Sequence, residues 1–132
     1  MIKIFRQDNM SIYMRFDDEG NEKLIKMFSD ILEGKEVILD VEFDMSVVKM
    51  KKALQKSCTI IVKNDNEIDG ATLYLKNEKI IWKIDSEYSD MGVDKFKNCK
   101  EKGFFYPAEF MYIQVSKNKK LDCMYCELVT DM

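Results

Sequence analysis

The sequence predicts an α+β two-layer sandwich, a mostly antiparallel or mixed sheet with two main helices on one face. Three observations lead there. Most strand-like segments alternate apolar and polar residues, the habit of sheets with one buried and one wetter face. Two segments switch to helical spacing, each closed by a glycine. The order of elements also echoes itself halfway along the chain.

Residues 2–6 read as a short strand. Residues 10–17 read as a second, with Met10, Ile12, Met14 and Phe16 on one face. Asp17 or Asp18 then offers an N-cap, and Glu19 and Glu22 suit the positive end of a helix dipole. Leu24, Ile25, Met27, Phe28, Ile31 and Leu32 recur at helical spacing, so a helix spans 19–33 and stops at Gly34. A strand over 36–45 turns Val37, Leu39, Val41, Phe43 and Met45 to one side and Asp40, Glu42 and Asp44 to the other. Val47, Met50 and Leu54, set among Lys49, Lys51, Lys52 and Lys56, predict a short helix over 46–56.

Strands follow at 58–63, 71–76 and 80–85, the last two joined by a tight turn at 76–79. A second helix over 89–102 is capped by Ser89 or Asp90, faces Val93, Phe96 and Cys99 inward and ends at Gly103. Strands at 109–116 and 121–129, joined by a turn at 117–120, complete the chain. The echo runs from residues 15–19 through a helix and Gly34 to 41–43, and again from 83–87 through a helix and Gly103 to 108–110. It predicts two β-α-β units in one sheet.

Composition narrows the function classes. A chain of 132 residues with 46% apolar and 34% charged residues is one folded domain, residues 1–132, and not a disordered segment. Its formal charge of −3 is spread evenly, without the basic footprint that nucleic acid requires. No apolar run reaches the length of a membrane span, and charges near the N-terminus rule out a signal-peptide core, so the cytoplasm is the expected compartment and no membrane partner is expected.

Histidine is absent, which removes the commonest general base and metal ligand and every Ser-His or Cys-His nucleophile. Cys123 and Cys126 form a C-x-x-C inside a strand, where spacing of three puts the thiols on opposite faces. With no second pair and no histidine, this predicts neither a zinc site nor a redox centre. No catalytic residue, cofactor or metal is expected.

Two acidic groups are the candidate partner-binding residues. Asp40, Glu42 and Asp44 stand about 7 Å apart along one strand face, close enough to repel. A cationic partner would relieve the repulsion; the plain alternative is a solvated face. Asp17, Asp18 and Glu19 form the second group, for which helix capping is the competing explanation. Phe104, Phe105 and Tyr106 cannot all point inward, so this segment offers a contact patch through which a structural or regulatory domain could pair with itself or another subunit. A carboxylate-based metal enzyme is the third reading.

The run FDDEGNEKLI at 16–25, leading through a helix to the strand at 36–43, and PAEF at 107–110 with its following hairpin carry a family-level resemblance. In element order and small acidic α+β style the chain resembles the bacterial immunity proteins of polymorphic-toxin and contact-dependent growth-inhibition systems. That resemblance implies a non-enzymatic cytoplasmic protein that binds and neutralises one cognate toxin domain. Where the toxin is a basic nuclease, an acidic row would speed association. The family has no shared contact motif, so no residue role transfers, and the sequence leaves the oligomeric state open.

Overall fold

The computed structural model describes residues 1–6, 8, 10–45, 57–115 and 120–130. Among them are eight strands and two helices. They are β1 (Ile2–Arg6), β2 (Ser11–Phe16), α1 (Asp18–Leu32), β3 (Val37–Asp44), β4 (Cys58–Asn64), β5 (Ala71–Lys76), β6 (Lys79–Ile84), α2 (Ser86–Lys102), β7 (Glu109–Val115) and β8 (Leu121–Leu128). The expected helix at 46–56 and most of the turn at 117–120 lie outside the described residues.

The strands close into a barrel in the order β1-β2-β8-β7-β5-β6-β4-β3, and β3 returns to β1 through Lys3 beside Glu42 and Phe5 beside Asp44. This corrects the two-layer sandwich. Alternation specifies one buried and one wet face, and a closed barrel satisfies it as well as an open sheet does. Closure depends on which edges meet, and no single strand records that. The buried face is the inside of the barrel, which leaves no sheet edge unpaired.

Antiparallel and parallel neighbours alternate around the ring. Odd-numbered strands therefore run away from one mouth and even-numbered strands run toward it. Both helices join strands at that mouth, and the hairpin connections lie at the other. The apolar stripes of α1 and α2 share one core with the inward strand residues, so the helix pair plugs the mouth. Phe28 and Phe96 stack with ring centroids 5.5 Å apart, and Trp82, Phe16, Phe105 and Phe110 pack around them edge-on or tilted. Each buried ring of this kind contributes about 1.5–3 kcal/mol.

The repeated unit is ββαββ, larger than the β-α-β expected. β1, β2, α1, β3 and β4 correspond to β5, β6, α2, β7 and β8, and the two four-stranded halves join along β2–β8 and β4–β6. The offset is 68 residues at the caps, Asp17 and Asp85, and 72 at the strands after the helices, where Phe43 and Val115 face the equivalent Ile4 and Leu73. The sequence echo therefore misaligns those later strands.

The caps hold each helix to the strand that opens its half. The Gly20 N–H donates to Asp17 Oδ1, which also receives the Met1 amino group at 2.5 Å. In the second half, Tyr88 N–H donates to Asp85 Oδ1 and Gly70 N–H to Asp85 Oδ2. α2 thus begins a turn earlier than the sequence suggests, with Asp85 and not Ser89 or Asp90 as its cap. Ser89 is buried instead, and its hydroxyl donates to the Asp85 carbonyl at 2.7 Å. The polar first turn, with Glu87 exposed and Tyr88 half-buried, hid this start from the apolar periodicity. Gly34 and Gly103 end the helices at φ 85° and 83°, where other residues are strained.

Candidate functional site

Residues on β3 alternate as the sequence predicts. Leu39, Val41 and Phe43 point into the barrel, while Ile38, Asp40, Glu42 and Asp44 stand exposed on its outer wall. Glu42 lies beside Lys3 on β1, Asp40 beside Thr59 on β4, and Asp44 beside Phe5. Among the described residues Asp40 and Glu42 make no ion pair, although Lys3 is next to Glu42. A shallow cleft of about 330 Å³ is lined by Lys3, Glu42, Phe43 and Asp44. Ile38, 69% exposed, extends the row past Asp40 with an apolar side chain.

The other acidic group is not part of this row. Asp17 is occupied as the α1 cap, and its bonds to the Met1 amine and the Gly20 N–H hold its carboxyl below the ordinary carboxylate value. Asp18 and Glu19 are exposed on the first helical turn, where Glu19 lies 3.5 Å from Lys23. These residues sit at the helix mouth, and β1 separates β2, which precedes them, from β3. The structure thus gathers Asp40, Glu42 and Asp44 and leaves Asp17, Asp18 and Glu19 with helix-capping work.

The outer wall also carries aromatics. Phe5, Tyr13 and Tyr125 come from β1, β2 and β8 and stack in a row, with centroids 5.5 and 5.4 Å apart. Register puts Asp44 at one end of that row and Glu109 at the other. Sequence phase alone turns Tyr13 and Tyr125 outward. Their adjacency needs the β2–β8 pairing, which joins the two ends of the chain, and no local signal carries that.

Among the described residues no group of three or more acidic or cysteine side chains is placed to hold a metal. The four thiols are free, and burial pushes them up, Cys99 to about 11 and Cys126 well above the ordinary value. They are therefore protonated near neutrality and poor nucleophiles. Cys123 faces half-outward and Cys126 inward, on opposite faces of β8. Among the described residues the barrel interior is filled by side chains, including Trp82, Phe43 and Ile4.

Among the described residues no helix is long and apolar enough to cross a membrane. The outward strand positions carry charges such as Lys3, Arg15, Glu42 and Lys83 around an apolar interior, the reverse of a lipid-facing barrel. Comparison with known proteins returned no match: no family model, no curated protein and no solved structure.

Proposed function

We propose that this protein is a non-enzymatic binding module of the immunity type, acting in the cytoplasm by docking a basic toxin domain on the outer wall of β3. The observation that carries the reading is the exposed row of Asp40, Glu42 and Asp44, continued by exposed Ile38. Asp40 and Glu42 stand exposed on one face of one strand, and a cationic surface relieves their mutual repulsion. An apolar side chain at the end of the row gives such a partner something to desolvate.

The test is affinity capture from native cytoplasm with the wild type and with a D40N/E42N/D44N variant, followed by association kinetics with the captured partner. The wild-type on-rate is expected to fall at least tenfold between 50 and 500 mM salt, and the variant on-rate to be lower and nearly flat. Equal on-rates for the two proteins at low salt would sink the proposal.

A further inference from the structure

Where β5 begins beside β7, the outer wall opens into a cavity of about 280 Å³. Its lining includes Gly70, Tyr88 and Tyr112, together with the exposed Asp69 and Glu87. Gly70 keeps the space open. Its φ of 92° favours glycine, and a Cβ there would stand 3.4 Å from the Tyr88 ring. The Tyr88 ring is fixed in turn, because its hydroxyl accepts the Tyr112 N–H at 3.3 Å. Asp85 also lines the cavity, but both of its oxygens are taken by the Gly70 and Tyr88 N–H groups. Among the described residues Asp69 and Glu87 have no ion-pair partner.

The first half has the same corner, and there the chain supplies the cations itself. Asp17, equivalent to Asp85, receives the Met1 amine, and Glu19, equivalent to Glu87, lies 3.5 Å from Lys23. In the second half the neutral Gly70 N–H takes the place of the amine, and Met91 takes the place of Lys23. Tyr88 stands where the first half has Gly20. This corner therefore keeps its carboxylates, loses both cations and gains an aromatic ring. Rings and unpaired carboxylates around an open cavity favour a cationic ligand.

We propose that this cavity is a binding site for an arginine side chain of another protein. A guanidinium is planar and weakly hydrated, so it lies over a tyrosine ring and forks onto a carboxylate better than a compact ammonium does. The chain that carries it meets an apolar wall. Tyr112 pairs with Cys123, whose N–H donates to the Met10 carbonyl, and Gln114 of the same strand pairs with Leu121. Met10, Tyr112 and Leu121 are each more than half exposed. Large apolar side chains in the open beside a charged cavity give a protein partner area to desolvate. A second copy of this chain cannot readily supply the arginine, since Arg6 is buried with Asp122 and Arg15 is paired with Glu127. The site stands apart from the proposed function, because β7 lies opposite β3 in the ring of strands.

The test is an amide NMR titration of the labelled chain with the capped peptide acetyl-Leu-Arg-Leu-amide. The peptide is expected to shift the Gly70, Glu87 and Tyr112 amides saturably, with a Kd of about 1–10 mM, the scale of one small contact. The same peptide with citrulline, an uncharged isostere of arginine, is expected to bind about tenfold more weakly, and the lysine version about threefold more weakly. A D69N/E87Q variant changes only exposed side chains, and Tyr112→Ala removes one wall. Each is expected to weaken the arginine peptide about fivefold, while D40N/E42N on the opposite wall leaves its Kd unchanged. Absence of a saturable shift up to about 50 mM peptide, well above that Kd, would overturn the proposal. So would equal binding of the citrulline or lysine peptide, an unchanged Kd in D69N/E87Q, or shifts centred on β3 instead of Gly70.

Discussion

In the first half of the chain the last inward residue of the opening strand is Arg6, and it meets Asp122 with Nη2 and Oδ2 2.6 Å apart, both side chains almost fully buried. Beside the other junction of the halves the equivalent positions are Leu75 on β5 and Cys58 on β4, partly buried against the same core. The equivalence follows from register: Arg6 pairs with Ile12 and Leu75 with Ile80, while Asp122 and Cys58 each lie two residues before the partner of those isoleucines. One slot in the barrel wall is thus filled by an ion pair and by two apolar side chains. The fold does not require charge there. Buried pairs of this kind often break even against well-packed apolar residues, because desolvation offsets the attraction. The Arg6 Nε and Asp122 Oδ1 atoms without hydrogen-bond partners add to that cost.

The largest expected effect comes from breaking this contrast on one side. Arg6→Leu strands a buried carboxylate and is expected to cost about 3–5 kcal/mol in urea unfolding. The double variant R6L/D122C gives the place beside the β2–β8 seam the chemistry found beside the β4–β6 seam and is expected to recover most of that loss. A double variant as unstable as the single one would mean that the β2–β8 side of the barrel depends on charge at a place where the β4–β6 side does without it.

How much of this was legible beforehand depends on the distance over which each signal acts. Alternation turns Arg6 inward with Ile2 and Ile4, and Asp122 inward with Met124 and Cys126. The two charges were therefore readable as inward, but not as partners, because 116 residues separate them. The same limit explains the fold. Strand phases along β2, β3 and β8 could be read from short windows, as could Asp17, Gly34 and Gly103 at the helix ends. The β3–β1 and β2–β8 seams that make a barrel instead of a sandwich join distant segments and leave no local trace. In the candidate site, Asp40, Glu42 and Asp44 were visible because they share one strand. The Phe5–Tyr13–Tyr125 row was not, because it exists only across three strands.

A second contrast lies between the helices. Leu24 on α1 corresponds to Gly92 on α2, and a Cβ at 92 would stand 2.6 to 2.9 Å from the Phe28 ring. The glycine is what lets Phe28 reach across to Phe96. Gly92→Ala is expected to cost about 1–3 kcal/mol by overpacking, even though alanine is the better helix former. Phe28→Leu in the same chain is expected to relieve part of it, measured as a smaller combined loss than the sum of the two single losses. Strict additivity would mean that the ring and the glycine do not press on each other.

The caps give the smallest and most chemically specific contrast. Asp85 uses both oxygens, one for Tyr88 N–H and one for Gly70 N–H, so Asp85→Asn leaves one of these donors facing an amide nitrogen. That variant is expected to lose about 1–3 kcal/mol, with little change in salt. Asp17 receives both of its bonds on Oδ1, from the Gly20 N–H and from the charged Met1 amine, so Asp17→Asn keeps the acceptor and loses only the charge. Its expected cost is about 0.2–1 kcal/mol, screened by salt. The pH dependence has a definite sign. The folded-state pKa of Asp17 is lowered from 3.8, first by the amine and then by the Gly20 N–H. Folding is therefore helped by its ionisation above 3.8, and that help disappears as pH falls through the lower folded value. The stability gap between wild type and D17N is thus expected to be constant from about pH 5 to 7 and to shrink below 3.8. A gap that held its size under acid would mean the amine contact contributes nothing, and that the two caps differ in geometry alone.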